Sequence, residues 1–205
     1  MRPFSIAAAA ALAAAFAFQA PAASAAPADP AAARIEVFDQ ALISTLKEGP
    51  ALGAKGRYRK LEPVIEDTFD LPVMTRFAVG PAWATMSPAD QQALVKAFTR
   101  LSVASYAKNF ARFDGERFDI EPTVQTRGAD KVVQSHLTPG HGAPVSLTYR
   151  MRNAGGAWKI IDVYYGAISQ LTTRRSDFAA PLASGGAKGL LEHLNSLADK
   201  LLSQG

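Results

Sequence analysis

A chain of 205 residues with 48% hydrophobic and 20% charged residues has the balance of a folded globular protein, which excludes wholesale disorder. It contains no cysteine, and that excludes disulfides, thiolate catalysis, iron–sulfur clusters and cysteine zinc sites. A net charge of +4 is too mild to point to nucleic acid.

Met1-Arg2-Pro3 is a short positive start, Phe4 to Phe18 an Ala-rich apolar run, and Ala23-Ser24-Ala25 a set of small residues. This pattern predicts a cleavable signal peptide over 1–25, cut after Ala25, and a single exported domain over 26–205. The run is short for a membrane anchor and has no basic flank behind it.

Ile35, Phe38, Leu42 and Leu46 recur at helical spacing, with Gly49-Pro50 as the expected stop. Leu61, Val64, Ile65 and Phe69 mark a second helix from Arg57 to Asp70, and a short third runs from Pro72 to Val79 before Gly80-Pro81. Ser87-Pro88 places a capping serine before a first-turn proline, opening a helix that should reach about Arg112. After Gly115 the period falls to two. Four strands are expected, over Phe118–Val124, Lys131–Thr138, Val145–Met151 and Trp158–Tyr164, joined by short turns into an antiparallel meander. Helices resume near Ile168 and end in a Leu190, Leu194, Leu197, Leu201 stripe. Helices, a sheet block, then helices again is an α+β order: a helical layer on a twisted, mostly antiparallel four-stranded sheet.

No catalytic constellation emerges. His136, His141 and His193 do not have a zinc-ligand spacing, and there is no nucleophile elbow, phosphate loop or nucleotide fingerprint. No catalytic residue, cofactor or metal is assigned. Gly185-Gly186 reads as a plain turn into the last helix, with an anion cradle as the sharper alternative. Arg57, Arg59 and Lys60 read as a solvated face, or else as a surface for anionic membranes.

The helix from Pro88 is unusual. Leu94, Val95, Phe98, Leu101, Val103, Tyr106 and Phe110 cover more than half its circumference. Together with the apolar strand positions this fits either an ordinary core roofed by helices or an apolar cavity between sheet and helices. The candidate lining residues are Phe98, Tyr106 and Phe110 on the helix. From the strands they are Val124, Val145, Leu147 and Tyr149, then Trp158, Ile160 and Tyr164.

Three blocks carry a family resemblance. The first is Tyr58-Arg59-Lys60-Leu61 through Phe69-Asp70, with Met74-Thr75-Arg76-Phe77-Ala78-Val79-Gly80 and Trp83. The second is Trp158-Lys159-Ile160-Ile161-Asp162-Val163-Tyr164 with Gly166-Ala167-Ile168-Ser169-Gln170-Leu171 and Arg174-Arg175-Ser176-Asp177-Phe178. The third is Gly185-Gly186 leading into Leu190-Leu191. In this order they resemble the MlaC family of periplasmic phospholipid-binding proteins, linked to toluene tolerance and outer-membrane lipid asymmetry. The Gly-Ala-Ile-Ser-Gln-Leu run with Thr-Arg-Arg-Ser looks closest to the hopanoid-associated HpnM branch. One departure is plain: where family members usually carry an acid before the glycine of the second block, Tyr165 precedes Gly166. The resemblance implies an apolar pocket for lipid acyl chains. It further implies a monomeric carrier, moving phospholipid or a hopanoid-like lipid between membrane-bound transport components without a covalent step. A periplasmic adaptor that stabilises an envelope complex is the alternative, and a small hydrolase or isomerase using a cavity of this α+β type is a third.

Overall fold

A computed structural model of the chain describes residues 29–203; the expected signal peptide lies outside the described residues. Helix α1 spans Pro30–Thr68, α2 Leu71–Val79 and α3 Pro88–Asn109, with a single 3₁₀ segment over Gly80–Thr85 between the last two. Strands follow: β1 Arg117–Ile120, β2 Gln125–Arg127, β3 Asp130–Thr138, β4 Val145–Ala154, β5 Ala157–Tyr165 and β6 Ile168–Ser169. Helix α4, Gln170–Ser203, closes the fold. No described helix is long and apolar enough to cross a membrane.

The architecture is α+β, as the element order implies, but the sheet has six strands rather than four. Pro122 cannot donate to a ladder, so the expected first strand splits into β1 and β2. Both pieces pair with β3 along one edge, β1 against Ser135–Thr138 and β2 against Asp130–Val132. The path β1-β3-β4-β5-β6 is antiparallel throughout.

The long helices break at two glycines, one of them away from the expected stop. α1 runs through Pro50 and kinks at Gly53, whose φ of 60° and ψ of 176° suit glycine alone. Gly185-Gly186 falls where α4 breaks into two helical segments, with Gly186 non-helical at φ 59° and ψ −146°, so it is the turn into the last helical segment.

One continuous core lies between the helices and one face of the sheet. Ile35, Phe38 and Leu42 of α1, Leu94 and Leu101 of α3, Phe178 and Leu190 of α4, and Val133, Tyr149, Met151 and Ile160 of the sheet are all buried in it. The wide apolar arc of α3 follows from its place between α1 and α4, both of which pack along it. Ser87 caps α3 through the Asp90 amide at 3.1 Å, as the sequence indicates.

The Arg57, Arg59, Lys60 row is not a free basic surface. Arg57 is 3% exposed, and its guanidinium donates to the carbonyls of Ala107 at 2.6 Å and Gly49 at 2.9 Å. Lys60 pairs with Glu48 at 2.7 Å. Of the three, Arg59 alone is exposed.

Candidate functional site: an apolar cavity with a polar mouth

Where α3, β5 and the start of α4 meet, the packing leaves a cavity of about 130 Å³. Its apolar wall is Phe69, Met74, Phe98, Tyr106, Phe110 and Val163. Ser102, Ser105, Asn109, Tyr165, Gln170, Leu171 and Arg174 complete the lining.

Each wall has a local cause. Phe69 ends α1 and is held against the sheet by a bridge to Ile160, with the Asp70 amide donating to the Ile160 carbonyl at 2.9 Å. Tyr106 and Phe110 lie one turn apart on α3, and their rings stack with centroids 5.7 Å apart. Phe69 meets Tyr106 edge-on at 5.8 Å, and Phe118 of β1 extends the stack beyond Phe110 at 6.4 Å. The polar side of α3 is muted, because Ser102 and Ser105 donate to the Phe98 and Leu101 carbonyls of their own helix, each at 2.8 Å.

The α4 side is set by Asp162. This buried carboxylate accepts from the Leu171 amide at 3.1 Å and from the Ser169 hydroxyl at 2.6 Å. Ser169 in turn accepts from the Thr172 amide at 3.0 Å. Two otherwise unpaired first-turn amides of α4 are thereby satisfied, and Gln170, Leu171 and Arg174 are fixed across the cavity from α3.

The β5 wall depends on a bulge. Arg150 pairs with Asp162 while Met151 pairs with Ile160, so Ile161 is an extra residue on β5. Alternation reverses there. Trp158 and Ile160 face the helices before the bulge, and Val163 and Tyr165 face them after it. Tyr164 consequently lies on the opposite face, in a groove with Thr148, Arg150 and Gln134.

Of the ten candidate residues, Phe98, Tyr106 and Phe110 line the cavity together. Leu147, Tyr149 and Ile160 are buried in the core beneath it. Val124 is half-buried in the loop before β2, and Val145 is exposed at the start of β4. Trp158 packs at the far end of the sheet, under the Lys131 ammonium 4.8 Å from its ring centroid. Sequence reasoning missed Phe69, Met74, Val163, Tyr165 and Arg174. The adjacent pair Ile160-Ile161, which breaks period-two alternation, is the signal that marks the bulge.

Beneath the cavity lies a polar defect. The Asp39 carboxyl of α1 is 4% exposed and makes no hydrogen bond of ordinary geometry, although the Ser135 and Tyr149 hydroxyls lie beside it. Burial pushes its pKa up to about 8. Burial also holds the Tyr106 and Tyr149 phenols well above their usual range, so both are neutral hydroxyls at physiological pH.

A largely apolar cavity lined also by a few polar side chains suits the binding of an amphipathic small molecule. Among the described residues no group of three or more histidine or carboxylate side chains could hold a metal ion. The sequence profile described as MlaC protein matches residues 36–196, and the chain belongs to that family, one of lipid-binding carriers rather than enzymes. The fold is shared with the phospholipid-binding protein from Ralstonia solanacearum, solved in complex with a phospholipid. That structure is 24% identical, with a TM-score of 0.73 over 84% of this chain and 99% of the other.

Proposed function

We propose that this protein is a periplasmic lipid carrier, exported by its N-terminal segment and acting as a monomer. In this reading it takes the acyl chains of a phospholipid into the cavity between α3, β5 and α4 and shuttles the lipid between inner- and outer-membrane transport components. The observation that carries this reading is the cavity wall of Phe69, Met74, Phe98, Tyr106, Phe110 and Val163, in a chain of the MlaC family. The phospholipid bound to the Ralstonia protein of the same fold supports the choice of cargo.

The energetics suit such a role. A buried methylene is worth about 0.8 kcal/mol, so a two-chain lipid leaves a membrane only for a comparably apolar site. A binding and release cycle needs no covalent chemistry. Tyr165 and Ile168 are 42% and 64% exposed beside the mouth, on the β5–β6 turn, and are the apolar groups a donor or acceptor would meet first. A hopanoid-like cargo is the second reading, favoured by the Gly166-Ala167-Ile168-Ser169-Gln170-Leu171 run that forms this edge of the site.

The test is native mass spectrometry of protein purified from the periplasm, followed by solvent extraction of whatever co-purifies. Adducts with phospholipid masses are expected. Lipid-free protein that also takes up no phospholipid from vesicles would return the chain to the adaptor alternative.

A further inference from the structure

The cavity does not end at its wall. A second groove of about 360 Å³ between α3 and α4 shares Ser105, Asn109 and Arg174 with it, and adds Lys200 above Leu197 and Leu201. An acyl chain needs none of these polar groups. Among the described residues no carboxylate lines either space, while two cations do. The acid nearest Arg174 is Asp177, 3.7 Å away and well solvated, a pairing weak enough to be displaced. Among the described residues Lys200 takes part in no ion pair, and the Asn109 side chain makes no hydrogen bond. By contrast, Arg100 on the other side of the same helix pair is held by Asp199 at 2.6 Å. Arg174 and Lys200 thus bring positive charge to two adjoining spaces, with the solvated Asp177 as the one carboxylate among the described residues paired to either.

We propose that Arg174 and Lys200, with Asn109, form a phosphate-ester site that holds the head group of the bound lipid. The proposal rests on the lipid-carrier reading and deepens it: it makes the cargo a phosphate-bearing diacyl lipid rather than a neutral polycyclic one. Arg174 presents a planar fork that matches two phosphate oxygens, and Lys200 adds a point charge further along the groove. Asn109 supplies the neutral donor. Ser105 cannot donate, because its proton is already given to the Leu101 carbonyl. The head group stays at the surface, where a receiving membrane or protein can compete for it.

The experiment compares dioleoyl phosphatidylglycerol with dioleoylglycerol, which has the same chains and no phosphate, each offered to the full-length mature protein from neutral detergent. Wild type should favour the phosphate-bearing lipid by about tenfold, the worth of a charge-assisted hydrogen bond. R174Q and K200E, measured separately, should each draw that ratio toward one, with thermal melting reporting that they are folded. Lys200 lies outside the cavity, so K200E keeps the test decisive if R174Q does not fold. A ratio unchanged in the folded variants overturns the head-group site and leaves the carrier intact. A wild type that binds neither lipid overturns the carrier reading itself. Inorganic phosphate titrated calorimetrically should bind far more weakly than the lipid; equal affinity would make this a free-phosphate site and overturn the head-group assignment.

Discussion

Arg57 shows how far a side chain's role can lie from its composition. Its guanidinium reaches the Gly49 carbonyl, the acceptor that an unbroken α1 would pair with the Gly53 amide, and the Ala107 carbonyl in the last turn of α3. One cation thus satisfies the ends of two helical segments, and Lys could not do so with the same fork. Asp39 and Asp130 are buried carboxyls of opposite sense. Arg152 and Arg150 flank Asp130 across the β3–β4 ladder at 2.6 and 2.7 Å and hold its pKa below the usual carboxylate range. Its contribution is therefore present above the unfolded pKa of about 3.9 and is lost only as pH falls further. Asp39, raised to about 8, binds a proton when folded that the unfolded chain has released. Stability should therefore fall as pH rises from about 4 toward 8, by about 1.4 kcal/mol per unit from this group. Asp39→Asn should flatten that slope and raise the melting temperature at pH 8 relative to wild type. Urea unfolding at pH 5 and pH 8 checks it, and an equal slope in both proteins would show that Asp39 stays ionised in the fold.

At the level of elements, what the sequence reveals is what depends on local periodicity and turn chemistry. The Ile35–Leu46 stripe, the Ser87 cap, the α2 span and the antiparallel run of β3 to β5 all follow from spacing within a dozen residues. The features that escaped are set by non-local contacts. Gly49-Pro50 reads as a helix end. Gly49 is instead required where α1 passes close to the Ala111 carbonyl, which a methyl group would strike, and the break comes at Gly53. The β5 bulge exists because β4 and β5 differ in register on either side of Arg150, and no single strand shows that. The candidate site was legible on α3, where the width of the apolar arc pointed to Phe98, Tyr106 and Phe110. It was not legible on β5, where the bulge puts Val163 and Tyr165 in place of Tyr164. The α4 kink is itself testable. Gly186→Ala places a Cβ on a backbone that only glycine adopts readily, at a cost of about 1–3 kcal/mol. Nothing lies within 4 Å of that added carbon, so strain and not collision should account for the loss. Gly185→Ala, in equally open space and without positive φ, should cost far less by thermal unfolding.

The whole molecule brings its two layers together around a space smaller than its proposed cargo. The cavity of about 130 Å³ is below the roughly 300–1,000 Å³ of ordinary ligand sites, so two acyl chains need either the adjoining groove of about 360 Å³ or a parting of α4 from α3. The seam carries both polar and large aromatic side chains. On the α3 side Ser102, Ser105 and Asn109 line it alongside Phe98, Tyr106 and Phe110, and on the α4 side Gln170, Leu171 and Arg174 do so. Core and cavity respond oppositely to added bulk. In a packed core an extra large side chain costs about 1–3 kcal/mol, whereas in a space meant to open it replaces the ligand. Ser105 is the position for the comparison, since its hydroxyl bonds only its own helix and its loss leaves no buried partner unsatisfied. Ser105→Trp should retain a melting temperature close to that of wild type and lose most co-purified lipid. Val133→Trp, at a fully buried sheet position beneath the cavity, should unfold at a markedly lower temperature. Melting curves and extracted lipid measured on the same preparations decide the matter. A Ser105→Trp protein that still carries a full complement of lipid would place the acyl chains somewhere other than between α3 and α4.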